Sequence, residues 1–255
     1  MEERQINKTE EQDMNIIVGR NSVMEAVRSG REIDRLLVVK GATGGSVASI
    51  IAKCSARGIP IKEVPAQKLD FLCGHTNHQG VAVMIAQQAY SSVDDILNLA
   101  KERNEAPFII ICDEIEDPHN LGAIIRTAEC CGAHGIIIPK RRSASLNATV
   151  AKSASGALEY VPVARVTNLV NEIEKLKKQG VWVFGADMDG DDYTKTDFSS
   201  PTAIVIGNEG KGIGRLVRES CDGIISLPMF GKINSLNASV AAGVLMYQVV
   251  KSRNK

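Results

Sequence analysis

Long hydrophobic runs are missing from this chain. No stretch of some 18 apolar residues occurs, and Met1 to Asp13 is charged throughout, so neither a membrane span nor a secretory signal is expected. Net charge is missing too: Lys+Arg and Asp+Glu both number 30, which argues against a protein that coats nucleic acid by bulk electrostatics. Local basic clusters such as Lys140-Arg-Arg142 read as solvated surface. The six cysteines form no Cys-x-x-Cys pair, and Cys130 and Cys131 are adjacent. Reduced core thiols in a cytoplasmic protein account for that pattern. Cys73-Gly-His75-Thr-Asn-His78 resembles metal ligands but lacks a second half, so no metal is expected. Aromatic residues make up only 4% of the chain, and no repeat or low-complexity segment is visible.

What is present is strand-helix alternation of a globular α/β protein. At 255 residues the chain is long enough for two domains. Residues 1–13 are polar, lack periodicity and read as a disordered tail. Residues 14–88 read as a small α/β/α domain, with strands at 35–39, 59–64 and 81–85 and a helix at 47–57 capped by Gly58. Residues 89–106 read as a linker leading into a short helix. Residues 107–255 carry a second alternation, opened by Phe108-Ile-Ile-Ile-Cys112, an unbroken apolar run of the kind expected of a parallel strand buried on both faces. Further strands are expected at 135–138, 181–184, 203–206 and 223–227, and a last helix at about 237–251.

Three polar, glycine-punctuated segments sit where hydrophobic runs end: Asp113 to Arg126, Ile206 to Gly212, and Ile233 to Ser239. Loops at the ends of buried strands are where open α/β sheets bind ligands, so the three read as one site. The glycine-rich segment Gly207-Asn-Glu-Gly-Lys-Gly212 fails both familiar phosphate-loop spacings, because no Ser or Thr follows Lys211 and the loop comes after a late strand. Its glycines imply close backbone approach or a turn through positive φ. Asn120 is either a site residue or a helix N-cap, and Ser235 or Asn237 starts the last helix. Arg126 lies in an otherwise apolar helix, where a buried guanidinium would need a carboxylate or phosphate partner.

The order Asp-x-x-x-Asp-Pro-x-Asn-x-Gly-x-x-x-Arg, then Ile-Gly-x-Glu-Gly-x-Gly, then Leu-Pro-Met followed by Ser-Leu-Asn-x-Ser-Val-Ala resembles the three motifs of the SpoU branch of the SPOUT superfamily, the ribose 2′-O-methyltransferases. The N-terminal unit, from Gly19-Arg-Asn-Ser-Val23 to His78-Gln-Gly-Val81, resembles the ribosomal-protein-like RNA-binding domain of bacterial large-subunit rRNA guanosine methyltransferases. The resemblance spans nearly all of residues 16–252. It implies a C-terminal parallel sheet tied into a deep trefoil knot, against the general avoidance of knots, and a homodimer with the active sites at the knot-knot interface. It implies S-adenosylmethionine as cofactor, bound at Gly207, Leu227 and Leu236 with Ile206 and Pro228 as apolar lining. It implies rRNA as the partner and methyl transfer to a guanosine ribose as the reaction. Arg126 would be the family's base, although a guanidinium gives up its proton so reluctantly that a phosphate and oxyanion role suits it better. Asn120, Glu209, Ser235 and Asn237 would organise the loops and the nucleotide. The rival readings are a tRNA ribose 2′-O-methyltransferase, a catalytically silent RNA-binding or ribosome-assembly protein, and a nicotinamide dehydrogenase, the last disfavoured by the failed fingerprint.

Overall fold

The computed structural model describes residues 16–29, 31–42, 44–85 and 89–254; the expected tail at 1–13 lies outside them. The chain divides into two compact units, the first running to Ala89 and including Ser145–Thr149, the second formed by Tyr90–Ala144 and Val150 onward.

The first unit is built on strands β1 (Ile16–Val18), β2 (Ile33–Val39), β3 (Ile61–Val64) and β4 (Val81–Ile85), in the order β1-β4-β2-β3. β2 and β3 are parallel, whereas β4 runs antiparallel to both β1 and β2. Alternation along β2 decides the layers. Leu36 and Val38 pack with Val23, Val27, Ile50 and Cys54 of helices α1 (Arg20–Arg28) and α2 (Ser46–Ala56). Leu37, pointing the other way, packs with Leu69 and Cys73 beneath helix α3 (Ala66–Leu72). An α/β/α sandwich results, as the alternation predicts. His78, from the candidate metal cluster, accepts the Gly80 N–H on Nδ1 (2.9 Å) and faces Asp70 with Nε2 (2.9 Å). Among the described residues no group of three or more His, Cys, Asp or Glu is arranged to hold a metal.

The second unit contains a six-stranded sheet. Its strands are β5 (Phe108–Cys112), β6 (Gly135–Pro139), β7 (Val163–Val166), β8 (Trp182–Asp192), β9 (Thr202–Ile206) and β10 (Gly223–Ser226), all parallel, in the order β10-β8-β9-β5-β6-β7. Every residue of β5 and β9 is buried, which is why both read as unbroken apolar runs. From β5 the chain winds outward through β6 and β7, then returns to fill the other side. The junction of β5 and β9 is therefore the switch point, and two of the polar segments leave from it.

Residues 89–106, expected as a linker leading into a short helix, carry helix α4 (Val93–Glu102), whose Ile96, Leu97 and Ala100 are buried in the second unit. Ser92 and Asp95 close a capping box at its start. Helix α5 (Pro118–Cys130) begins three residues before the expected position: Asp117 accepts the His119 N–H (2.9 Å) and Pro118 fills the first turn. Helix α6 (Ala148–Ala154) from Val150 onward, with α7 (Leu169–Lys178), α8 (Arg215–Ser220) and α9 (Ala238–Arg253), completes the unit. At the end of α9 the Arg253 guanidinium donates to the carbonyls of Ala106, Pro107, Phe198 and Ser200 and lies over the Phe108 ring, fastening the last helix to the start of the sheet. No helix among the described residues is long and apolar enough to cross a membrane.

Candidate functional site

The second polar segment closes on itself after β9. Asn208 and Gly212 exchange both backbone hydrogen bonds (3.0 and 2.8 Å), and the Asn208 Oδ1 accepts the N–H groups of Gly210 and Lys211. So tight a turn leaves no room beside Gly207. A Cβ there would fall 2.3 Å from the Gly212 carbonyl carbon and 2.4 Å from the Ile213 nitrogen. The loop is also fastened to the first segment: the Asn208 Nδ2 donates to the Glu114 carbonyl (3.1 Å), and the Gly214 N–H donates to Asp113 (2.7 Å). Burial pushes the Asp113 carboxyl above the ordinary carboxylate range, with the Gly214 bond pulling the other way.

One side-chain network joins all three segments. Asn120 donates from Nδ2 to the Glu209 Oε1 (2.6 Å); Asn237 donates from Nδ2 to the same oxygen (2.6 Å) and to the Asn120 Oδ1 (2.9 Å). The remaining Asn237 oxygen caps α9 by accepting the Ser239 and Val240 N–H groups (3.0 and 3.3 Å). Asn237 is thus both cap and network member. Asn120 is not the cap of α5, since Asp117 takes that place and leaves the Asn120 amide free to face Glu209.

Beside the network opens a cleft of about 550 Å³ at the ends of β9 and β10 and the middle of β8 (Trp182–Asp192). Ile206, Gly207, Leu227, Pro228 and Leu236 all line it, together with Glu209 and Ser235. Asn120, Asn237 and Arg126 do not line it. Arg126 is exposed on α5, with one hydrogen bond among the described residues, to the Ser155 Oγ (3.3 Å), so the buried-charge argument does not apply to it.

Another wall was not anticipated from sequence. β8 runs past the expected end at Phe184 to Asp192, but β10 pairs only with Phe184 and Gly185 and then with Asp191 and Asp192. Residues 186–190 are not paired in the ladder with β10, and Ala186, Asp187 and Met188 line the cleft. Arg218 holds this excursion by reaching Asp187 and Asp189 (2.8 Å each). An acidic, glycine-containing run directly after a strand was the available signal.

A cleft at the strand ends, bounded by three loops that one hydrogen-bond network fixes, can hold an extended ligand against apolar walls and backbone groups. Residues 107–247 match the family model described as the SpoU rRNA methylase family, and residues 16–91 match one described as RNA 2′-O ribose methyltransferase substrate binding. The chain belongs to the SpoU family. A Bacillus subtilis protein named for the TrmH family of tRNA/rRNA methyltransferases, YacO, is 48% identical over 95% of this chain and 98% of its own. Among solved SpoU-like structures, an AdoMet-bound rRNA methyltransferase from Sinorhizobium meliloti superposes with a TM-score of 0.58 at 25% identity, covering 97% of this chain and 90% of its own. A TrmH/SpoU tRNA-modifying enzyme from A. aeolicus gives a TM-score of 0.55 at 26% identity, covering 62% of this chain and 83% of its own.

Proposed function

We propose that this SpoU methyltransferase transfers a methyl group from S-adenosylmethionine to the ribose 2′-hydroxyl of a guanosine in large-subunit rRNA. The observation that carries this reading is the Asn120–Glu209–Asn237 network, which holds three loops around one cleft. The cleft fits the cofactor: its volume lies within the range of small-molecule sites, and Ile206, Leu227, Pro228 and Leu236 offer apolar walls to an adenosyl group while the turn at Gly207 exposes backbone. When bound, S-adenosylmethionine supplies a methyl carbon made electrophilic by its sulfonium.

The residues of the chain supply orientation and charge. Glu209, Asn120 and Asn237 fix the loops, and Ser235 offers a hydroxyl inside the cleft. Arg126, exposed and without a carboxylate partner among the described residues, grips a substrate phosphate and stabilises the developing 2′-oxyanion, since a guanidinium is a fork of donors with no acceptor. Residues 14–88 bind the RNA. Support for rRNA over tRNA comes from the extent of the likenesses, 97% of this chain for the rRNA enzyme against 62% for the tRNA enzyme. Family membership supports the trefoil knot and a cytoplasmic homodimer. A second copy would cover α9, where Val240, Val244 and Tyr247 stand 51%, 38% and 56% exposed at helical spacing on one side.

The test is transfer of labelled methyl to separated rRNA and tRNA, followed by nucleoside digestion. Label is expected in 2′-O-methylguanosine from large-subunit rRNA. Label in tRNA alone would replace the substrate, and none in either RNA would overturn the activity. In parallel, Leu236→Glu, at a half-exposed cleft position, should lower cofactor affinity at least tenfold by calorimetry with an unchanged melting temperature.

A further inference from the structure

Arg126 shares one face of α5 with His119 and Gly122, since spacings of three and four residues fall on one side of a helix. That face meets the end of α6 without a gap. A Cβ on Gly122 would lie 2.4 Å from the Ser153 Cβ and 2.8 Å from the Val150 carbonyl oxygen, so this glycine lets the two helices touch. The close approach brings two serines within reach of the two polar residues flanking it. The Ser153 Oγ stands 3.3 Å from the His119 Nδ1, and the Ser155 Oγ accepts from the Arg126 guanidinium at 3.3 Å.

Ser155 is an unexpected residue for its place. Its φ is 50°, in the left-handed region where a side chain is strained, and glycine or asparagine would terminate α6 at lower cost. The hydroxyl also reaches back to the Lys152 carbonyl at 3.5 Å, a longer contact than the one it makes with Arg126. What a glycine would lack is the acceptor for Arg126. Strain retained where a plainer residue would relieve it marks a functional constraint when an observed contact accompanies it.

We infer that Ser155 is a positioning residue: its hydroxyl, presented by the left-handed end of α6, sets the direction in which the Arg126 guanidinium faces the RNA. The inference rests on the proposed role of Arg126. In this arrangement the acceptor is neutral, so it orients the fork without neutralising the charge, and among the described residues no carboxylate competes with a substrate phosphate.

Ser155→Gly separates positioning from structure, because it relieves the backbone and deletes the hydroxyl together. The expected result is a melting temperature equal to or above that of the wild type, unchanged S-adenosylmethionine affinity by calorimetry, and a kcat on bulk cellular RNA lowered roughly tenfold, the size of a lost hydrogen bond to a charged group. In an Arg126→Lys background the same change should cost less than twofold, because the geometry that Ser155 serves is already gone. A Ser155→Gly enzyme with undiminished kcat overturns the inference, as does an equal loss in both backgrounds. Arg126→Ala distinguishes the two levels: wild-type turnover in that variant defeats the reading of Arg126 itself, whereas an inactive Arg126→Ala beside a fully active Ser155→Gly defeats only the role of Ser155.

Discussion

Both ends of the Asn237 amide are in use, and that fixes its orientation. Two backbone N–H groups at the start of α9 require the oxygen, so the nitrogen must face Glu209 and Asn120. Asn237→Asp keeps an acceptor for the cap but places a second carboxylate where the amide nitrogen stands 2.6 Å from Glu209. The variant should lose about 1–3 kcal/mol at neutral pH, from one missing donor and like-charge repulsion. Repulsion raises the folded-state pKa of the carboxylate pair above its unfolded value, so the deficit is full above that raised value and shrinks as pH falls through it. Melting temperatures of variant and wild type between pH 4.5 and 8 check this; a deficit constant with pH would show that the carboxylates do not interact. The types and spacing of Asn120, Glu209 and Asn237 were legible in sequence, but their convergence on one oxygen was not, because they lie as many as 117 positions apart.

Among the elements, α5 owes its place to a missing side chain. In an isolated helix Gly122→Ala would stabilise by about 1 kcal/mol. Here the added methyl has nowhere to go, with backbone oxygen on one side and the Ser153 Cβ on the other, and overpacking of that kind costs about 1–3 kcal/mol. Urea denaturation of Gly122→Ala should therefore show a net loss, and its kcat should fall further than its cofactor affinity, since α6 carries Ser155 away from Arg126 while the cleft lies elsewhere. Stability at or above wild type would mean that α6 yields freely. The period of the apolar residues announced α5, but neither the partner of Gly122 nor the excursion of β8 at 186–190 follows from period. The run from Asp187 to Asp192 has the composition of a polar loop, and within it only Asp191 and Asp192 pair with a parallel neighbour, β10.

At the scale of the whole molecule, the boundary between the units lies near Tyr90, ahead of the family motifs that begin after Pro107. α4 belongs to the second core: Ile96 packs so closely on Gly135 that a Cβ there would fall 2.4 Å from the Ile96 Cγ1. Burying Ile96 and Leu97 contributes about 1.5–3 kcal/mol each, a sum that reaches the low end of domain stabilities. Starting the chain at Pro107 also removes Glu105, which faces the buried His134 at 3.0 Å, and the Ala106 carbonyl that Arg253 reaches. A fragment from Tyr90 to Lys255 should unfold cooperatively in urea, whereas one from Pro107 should lack a cooperative transition. Equal midpoints for the two would show that α4 is dispensable.

The sequence by itself determined the class of the fold and the candidate residues, because both are written in local signals. Continuous apolar runs mark strands buried on two faces, and polar, glycine-punctuated segments mark where those strands end. The motif order carried the family. Tertiary structure alone decided which residue caps α5, that Arg126 is exposed on a serine, that α4 belongs to the second core, and that three distant amide and carboxylate groups meet at Glu209. Each of these depends on what stands opposite a side chain in space, and winding a parallel sheet outward from its middle and back brings distant segments to the same edge of β5 and β9.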